Sequence, residues 1–194
     1  MILGISGSPR SKSTEYVCKC GLKLLDELGY ETRYWSVMAK KLSFCTHCDH
    51  CRKRNGCIFN DDMDELYSLM EEAGAYVIAT PVYHGGISGQ LKTVFDRCRA
   101  LLSKNSNVFR YKPVISIAVG GDRVGGHEHA IQQILSFFQM NGGVPISGGT
   151  FGANLGATFW SRDSLESVKQ DEEGFKTLSK TINHLDKYLK RLTR

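Results

Sequence analysis

The chain has 194 residues, 41% hydrophobic and 23% charged, with a formal net charge of +5, a balance that excludes a disordered or low-complexity polypeptide. No apolar run approaches the roughly 18 residues of a membrane span, and MILGISGSPR is too short and too Gly-rich for a signal peptide. One soluble, cytoplasmic domain over residues 1–194 is therefore expected, without membrane or nucleic-acid partners, because the mild basic charge is scattered apart from the terminal KYLKRLTR, which suits a helix C-terminus.

In chain order, the apolar run MILGI reads as a strand and ends in the loop SGSPRSKS. Val17, Gly21, Leu24, Leu25 and Leu28 then recur at helical spacing. TRYWSVM reads as a second strand. A cysteine-rich segment over 45–57 follows, then a helix with Met63, Leu66, Met70 and Ala73 on one face. AYVIA is a third strand, leading through TPVYHGGISG into a helix from about Gln90. Cys98 continues the apolar face of that helix and reads as a core residue. PVISIAV is a fourth strand, followed by GGDRVGG and a helix marked by Ile131, Ile134, Leu135 and Phe138. VPIS is a weak fifth strand before a Gly-rich loop. Phe175, Leu178, Ile182, Leu185, Leu189 and Leu192 define the last helix. Continuous apolar strands alternating with helices imply an α/β fold: a doubly wound, five-stranded parallel sheet with helices on both faces and a cysteine-rich loop after the second strand.

In such a sheet ligands bind beyond the carboxyl ends of the strands, near the point where the strand order reverses. Strands one, three and four end in the three most loop-like segments of the chain. GSPRSKST opens a helix N-terminus and offers the hydroxyls of Ser6, Ser8, Ser11, Ser13 and Thr14 beside Arg10. It is neither a Walker A loop nor a G-x-G-x-x-G fingerprint, which leaves metal-free binding of a phosphate monoester, or a simple helix cap, as its readings. TPVYHGGISG brings Pro81, Tyr83 and His84 beside two glycines that allow close backbone approach to a flat ligand. VGGDRVGGHE places four glycines around Asp122 and Arg123. His84 and His127 read as loop residues rather than catalysts.

Seven cysteines without a secretory signal argue against disulfides, and an odd number cannot pair completely. Cys18 and Cys20 share a helix and point apart, so both read as structural. Cys45, Cys48, Cys51 and Cys57 form a C-x2-C-x2-C-x5-C run. Its first three members have the spacing of bacterial ferredoxin ligands, and Gly56 eases the return of the fourth. Zinc is the rival occupant, with His47 and His50 as substitute ligands, although zinc sites usually pair two knuckles across a wider gap. Arg52, Lys53 and Arg54 would raise the potential of an anionic cluster. DDMDE reads as acidic residues at a helix start rather than as a metal site.

GISGSPR, PVYHGGISGQLKTVFDR and AVGGDRVGGHE together resemble the NADPH-dependent FMN reductase-like branch of the flavodoxin-like fold. With the cysteine spacing, and with CIFNDDMDEL after the last cysteine, the resemblance narrows to the iron–sulfur flavoproteins. His84 stands where relatives often carry a bulky apolar residue, and His127 where Gln is frequent. The resemblance implies an FMN whose phosphate sits on Ser8, Arg10, Ser13 and Thr14. Its ring would lie against Pro81, Val82, Tyr83, His84, Gly85 and Ile87 on one side, and Gly120, Gly121, Arg123, Gly125 and Gly126 on the other. It implies a [4Fe–4S] cluster on Cys45, Cys48, Cys51 and Cys57. It also implies a homodimer or homotetramer that sets the cluster of one subunit near the flavin of another. The expected function is that of an FMN-dependent electron-transfer oxidoreductase served by a ferredoxin-like carrier or NAD(P)H. The alternatives are an NAD(P)H-dependent FMN or quinone reductase with a structural metal, and a redox-sensing regulatory protein. No acid–base residue is nominated.

Overall fold

The computed structural model describes residues 1–192. Four long parallel strands form the centre of the sheet: β1 (Ile2–Ser6), β2 (Thr32–Ser36), β3 (Ala75–Pro81) and β4 (Pro113–Gly120), laid side by side in the order β2-β1-β3-β4. The chain leaves β1 for one edge of the sheet and β3 for the other, so the order reverses between these two neighbours.

The expected fifth strand is split. VPIS contributes only β5 (Val144–Pro145), paired with Pro113 and Val114, while β6 (Ala157–Trp160) pairs with Ile117 to Gly120 further along the same side of β4. The chain leaves the sheet between them through a loop with four residues at positive φ: Gly149, Phe151, Gly152 and Asn154. One lane of the sheet is thus built from two short pieces. The sequence reading missed the second, although ATFW has strand composition.

Helices α1 (Ser13–Glu27) and α8 (Glu172–Leu192) cover one face. The other carries α3 (Met63–Glu72), α4 (Gly89–Arg97), α5 (Arg99–Lys104) and α6 (His127–Met140). Two short helices complete the set, α2 (His50–Lys53) in the cysteine segment and α7 (Leu165–Lys169) after β6. The helix expected from Gln90 breaks at Cys98 into α4 and α5; Cys98 is fully buried, as its place on the apolar face required. The continuous apolar strands divide by parity. Leu3, Ile5, Tyr76 and Ile78 enter the core under α3, α4 and α6, while Ile2, Val77, Ala79 and Ile117 enter the core under α1 and α8. The first core is aromatic: Tyr76, Phe95, Phe109, Phe137 and Phe138 pack together, with Phe95 and Phe137 stacked at 4.2 Å. The basic C-terminal cluster reaches the last turn of α8 through Lys190 and Arg191, and its final two residues lie outside those described. Among the described residues no helix is long and apolar enough to cross a membrane.

Candidate functional site

Because the strands are parallel, the loops after β1, β3, β4 and β6 all open at one edge of the sheet. The loop after β1 is fastened to the neighbouring strand by Gly7 N–H donating to Ala79 O at 2.8 Å. Buried Ser8 is used inside the loop: its hydroxyl donates to Arg10 O at 2.9 Å and accepts from Arg10 N–H at 3.1 Å. Ser13 Oγ donates to Ser164 O at 3.2 Å, and Thr14 is buried. Arg10, Ser11 and Lys12 are left exposed around a helix N-terminus that has no side-chain cap. Uncapped N–H groups, the helix dipole and Arg10 suit a phosphate.

The loop after β3 is a two-residue turn. Tyr83 N–H donates to Gly86 O at 2.9 Å and Gly86 N–H to Tyr83 O at 3.0 Å. His84 and Gly85, at φ 47 and 77, form its tip, the backbone signature of a type I′ turn. His84 is exposed at that tip. Val82 N–H donates to Val119 O at 2.9 Å and Ile87 N–H to Gln133 Oε1 at 3.0 Å, so the turn is held from β4 and from α6. Ser88, a residue the sequence reading did not single out, caps α4 through Leu91 N–H and donates its hydroxyl to Gly7 O, joining the first two loops. Its position just before the helix, as a Ser, was the available signal.

The loop after β4 closes on the second. A Cβ on Gly126, at φ 101, would lie 2.5 Å from Gly85 Cα. Gly125 is exposed and Gly121 half-buried in the same loop. A Cβ on Gly120 would lie 2.4 Å from the ring of His127, which is the buried first residue of α6 rather than a loop residue. His127 Nε2 is 3.0 Å from Phe159 O and fixes β6 against the loop. Arg123 stacks on Trp160 at 5.1 Å and pairs with Asp171 at 3.5 Å. The fourth loop, after β6, was not foreseen. Arg162 covers Trp160 at 3.9 Å, and Arg162 and Asp163 both adopt positive φ. Glycine-to-glycine contact between two loops, beside an anion-ready helix end, is a cradle that fits a flavin mononucleotide.

The four cysteines of the run lie between β2 and α3, and all four line one small cavity together with His47, His50, Phe59, Arg97 and Arg99. The segment that carries them is irregular apart from α2, with His47, Asp49 and Gly56 at positive φ. It is pinned at both ends by a buried ion pair, since Asp61 follows the segment and Ser43, which both partners hold, precedes it. Arg97 Nη1 and Nη2 contact the two carboxylate oxygens of Asp61 at 2.8 and 3.0 Å, with both side chains at most 2% exposed. Ser43 is held from both ends, its carbonyl by Arg97 Nη1 at 2.7 Å and its N–H by Asp61 at 2.9 Å. Burial acts to raise the Asp61 carboxyl; the Arg97 guanidinium and the Ser43 and Met63 N–H groups outweigh it and bring it down to about 2. Asp61 is therefore more than a helix-start acid, and the reading of DDMDE is corrected there. Asp64 and Glu65 do occupy the first turn of α3.

All seven cysteines are free thiols. Among the described residues no three His, Cys, Asp or Glu side chains converge tightly enough for one metal ion. Two buried arginine nitrogens in the cavity wall, Arg97 Nε and Arg99 Nε, have no hydrogen-bond partner. Thiolate-type donors flanked by unsatisfied cationic donors suit an anionic iron–sulfur group.

Comparison with known proteins gives a consistent result. A family model described as NADPH-dependent FMN reductase matches residues 1–158. An iron–sulfur flavoprotein of Archaeoglobus fulgidus is 56% identical over 99% of this chain and 98% of its own length. Another, from Methanocaldococcus jannaschii, is 51% identical over 97% and 96%. Among solved structures, a Trp repressor binding protein of Bacillus subtilis shares the fold with a TM-score of 0.62 at 21% identity, covering 95% of this chain and 97% of that one. An apo NADH:FMN oxidoreductase shares it with a TM-score of 0.63 at 20% identity, covering 94% and 86%.

Proposed function

We propose that this chain, which belongs to the NADPH-dependent FMN reductase family and within it to the iron–sulfur flavoproteins, transfers electrons between an FMN at the loop edge and a [4Fe–4S] cluster on Cys45, Cys48, Cys51 and Cys57. It is a flavin-dependent redox protein; the cluster and the electron-transfer role are the proposal. When bound, FMN supplies one- or two-electron exchange and the cluster exchanges single electrons.

The observation that carries the reading is the placement of α4. Its N-terminal cap, Ser88, ties the two flavin loops together, and its last residue, Arg97, lines the cysteine cavity. Nine residues of helix separate the two ends by about 14 Å at 1.5 Å per residue. In the roles proposed, Arg10 and the free N–H groups of the first turn would bind the phosphate, the Gly85–Gly126 contact holds the second and third loops together where the ring would lie, and the Asp61–Arg97 pair holds the cysteine segment in place. A groove of mixed lining runs from Ile87 past Phe95 and Phe137 to Cys45, with Met140 80% exposed along it and Lys92, Asp96 and Arg99 in its walls. This groove supports assembly as a homodimer or homotetramer in which the cluster of one subunit faces the flavin of another. A ferredoxin-like carrier or NAD(P)H is the proposed donor.

The test is an absorption spectrum of protein purified without oxygen, with iron, acid-labile sulfide, zinc and flavin measured on the same sample. About four irons, four sulfides and one FMN per chain are expected. Flavin with zinc would move the assignment to an NAD(P)H-dependent FMN or quinone reductase with a structural metal, the second reading favoured by the family match.

A further inference from the structure

The cysteine cavity has an unusual wall. Arg97 ends α4 and Arg99 begins α5, with buried Cys98 between them, so two guanidinium groups leave the same helical corner and both line the cavity. Each is anchored by a carboxylate from the segment around the cysteines: Arg97 by Asp61, and Arg99 through Nη2 by Asp49. Each anchor leaves the same atom over. Arg97 Nε and Arg99 Nε are buried and have no partner.

A buried donor without an acceptor is destabilising. Arginine does not shed its charge to relieve that cost. Two such donors in one wall, each held by a separate carboxylate, mark a place where an acceptor belongs. Both guanidinium groups line the same small cavity as the four sulfurs, Arg97 on the side of Cys57 and Arg99 on the side of Cys51. Cys51 Sγ also accepts from Ser103 Oγ at 3.8 Å. The other basic residues of the segment, Arg52, Lys53 and Arg54, are exposed and lie outside this wall.

We propose that Arg97 and Arg99 are positioning residues for the cysteine-held cluster: their Nε–H groups donate to its sulfurs beside Cys57 and Cys51 and raise its reduction potential. The inference rests on the cluster reading above. Hydrogen bonds and positive charge at the sulfurs stabilise the reduced, more negative state; Arg97 supplies them from a fully buried side chain and Arg99 through a buried Nε, although its ion pair with Asp49 is partly exposed.

The experiment is an EPR-monitored redox titration of anaerobically purified wild-type, Arg99→Gln, Arg99→Lys and Arg97→Lys proteins, with iron and sulfide quantified in each and the FMN midpoint as internal reference. Arg99→Gln tests the idea without endangering the fold, because its ion pair is partly exposed. At a fixed poise the ratio of reduced to oxidised cluster is expected to fall about tenfold in Arg99→Gln, which is about 59 mV for one electron. The FMN midpoint stays where it was. Arg99→Lys, which keeps the charge and loses the fork, is expected to fall part of the way, as is Arg97→Lys. A fully loaded Arg99→Gln protein with an unchanged cluster midpoint overturns the proposal. An Arg99→Lys midpoint equal to wild type assigns the effect to charge alone and overturns the donor role. Failure of the cluster reading itself is separately visible, as a wild-type protein without iron and sulfide.

Discussion

Replacing Asp61 by Asn tests how the cysteine segment is held. The Asp61 and Arg97 side chains are 2% and 1% exposed, so removing the negative charge leaves a buried guanidinium uncompensated, at a cost of about 3–5 kcal/mol. Asn retains an acceptor for Ser43 N–H, which places the expected loss near the lower end, about 3 kcal/mol. With a urea slope of about 2–3 kcal/mol/M for a chain of this size, the unfolding midpoint should fall by about 1–1.5 M. The acid limb supplies a second reading. The Asp61 carboxyl is lowered from 3.8 to about 2. Its contribution is therefore fully present above about pH 4 and is lost as the pH falls toward 2, an amount of about 2 kcal/mol. The stability gap between wild type and Asp61→Asn should accordingly narrow between pH 4 and pH 2. Urea titrations followed by circular dichroism at several pH values measure both. A midpoint shift below about 0.3 M, or a gap that stays constant down to pH 2, would refute the assignment of Asp61–Arg97 as the buried anchor.

Four further outcomes are expected. Cys51→Ala should lose iron and sulfide while binding FMN with unchanged affinity, because the phosphate loop lies elsewhere in the chain; normal iron content would remove Cys51 from the ligand set. Arg10→Ala should weaken FMN binding by about 1.5–3 kcal/mol, the range of a charged hydrogen bond, as read by the flavin dissociation constant. Gly126→Ala meets the Gly85 backbone at 2.5 Å from a positive φ, so it should destabilise the protein by more than 1 kcal/mol and lower flavin occupancy; an unaltered melting temperature would sink the claim that the two loops touch there. Burial pushes the Cys18 thiol up to about 12 and raises that of Cys98 as well, so neither should be alkylated at pH 8 until the protein unfolds, with mass mapping as the check.

Much of this molecule is legible without coordinates. MILGI, AYVIA and PVISIAV declare central strands because only a strand covered on both faces tolerates an unbroken apolar run. The helices α1, α6 and α8 follow from spacings of three and four. Other features resist. Ser88 looks like any helix cap, yet its hydroxyl reaches Gly7, 81 positions away in the chain. His127 looks like a loop histidine and is buried against Phe159. The divided fifth lane was hidden because two pieces of two and four residues are too short to show a period.

The class of fold, the three loops at the carboxyl edge and the cysteine spacing are written in local composition and in the period of single elements. Only the tertiary structure decided that Asp61 and Arg97 are partners, that Gly85 meets Gly126, and that two arginines face the cysteines with a donor to spare. The carboxylate anchors of the two arginines lie 36 and 50 residues away in the chain, and no local pattern encodes a pairing that comes into being only when the helices pack on the sheet.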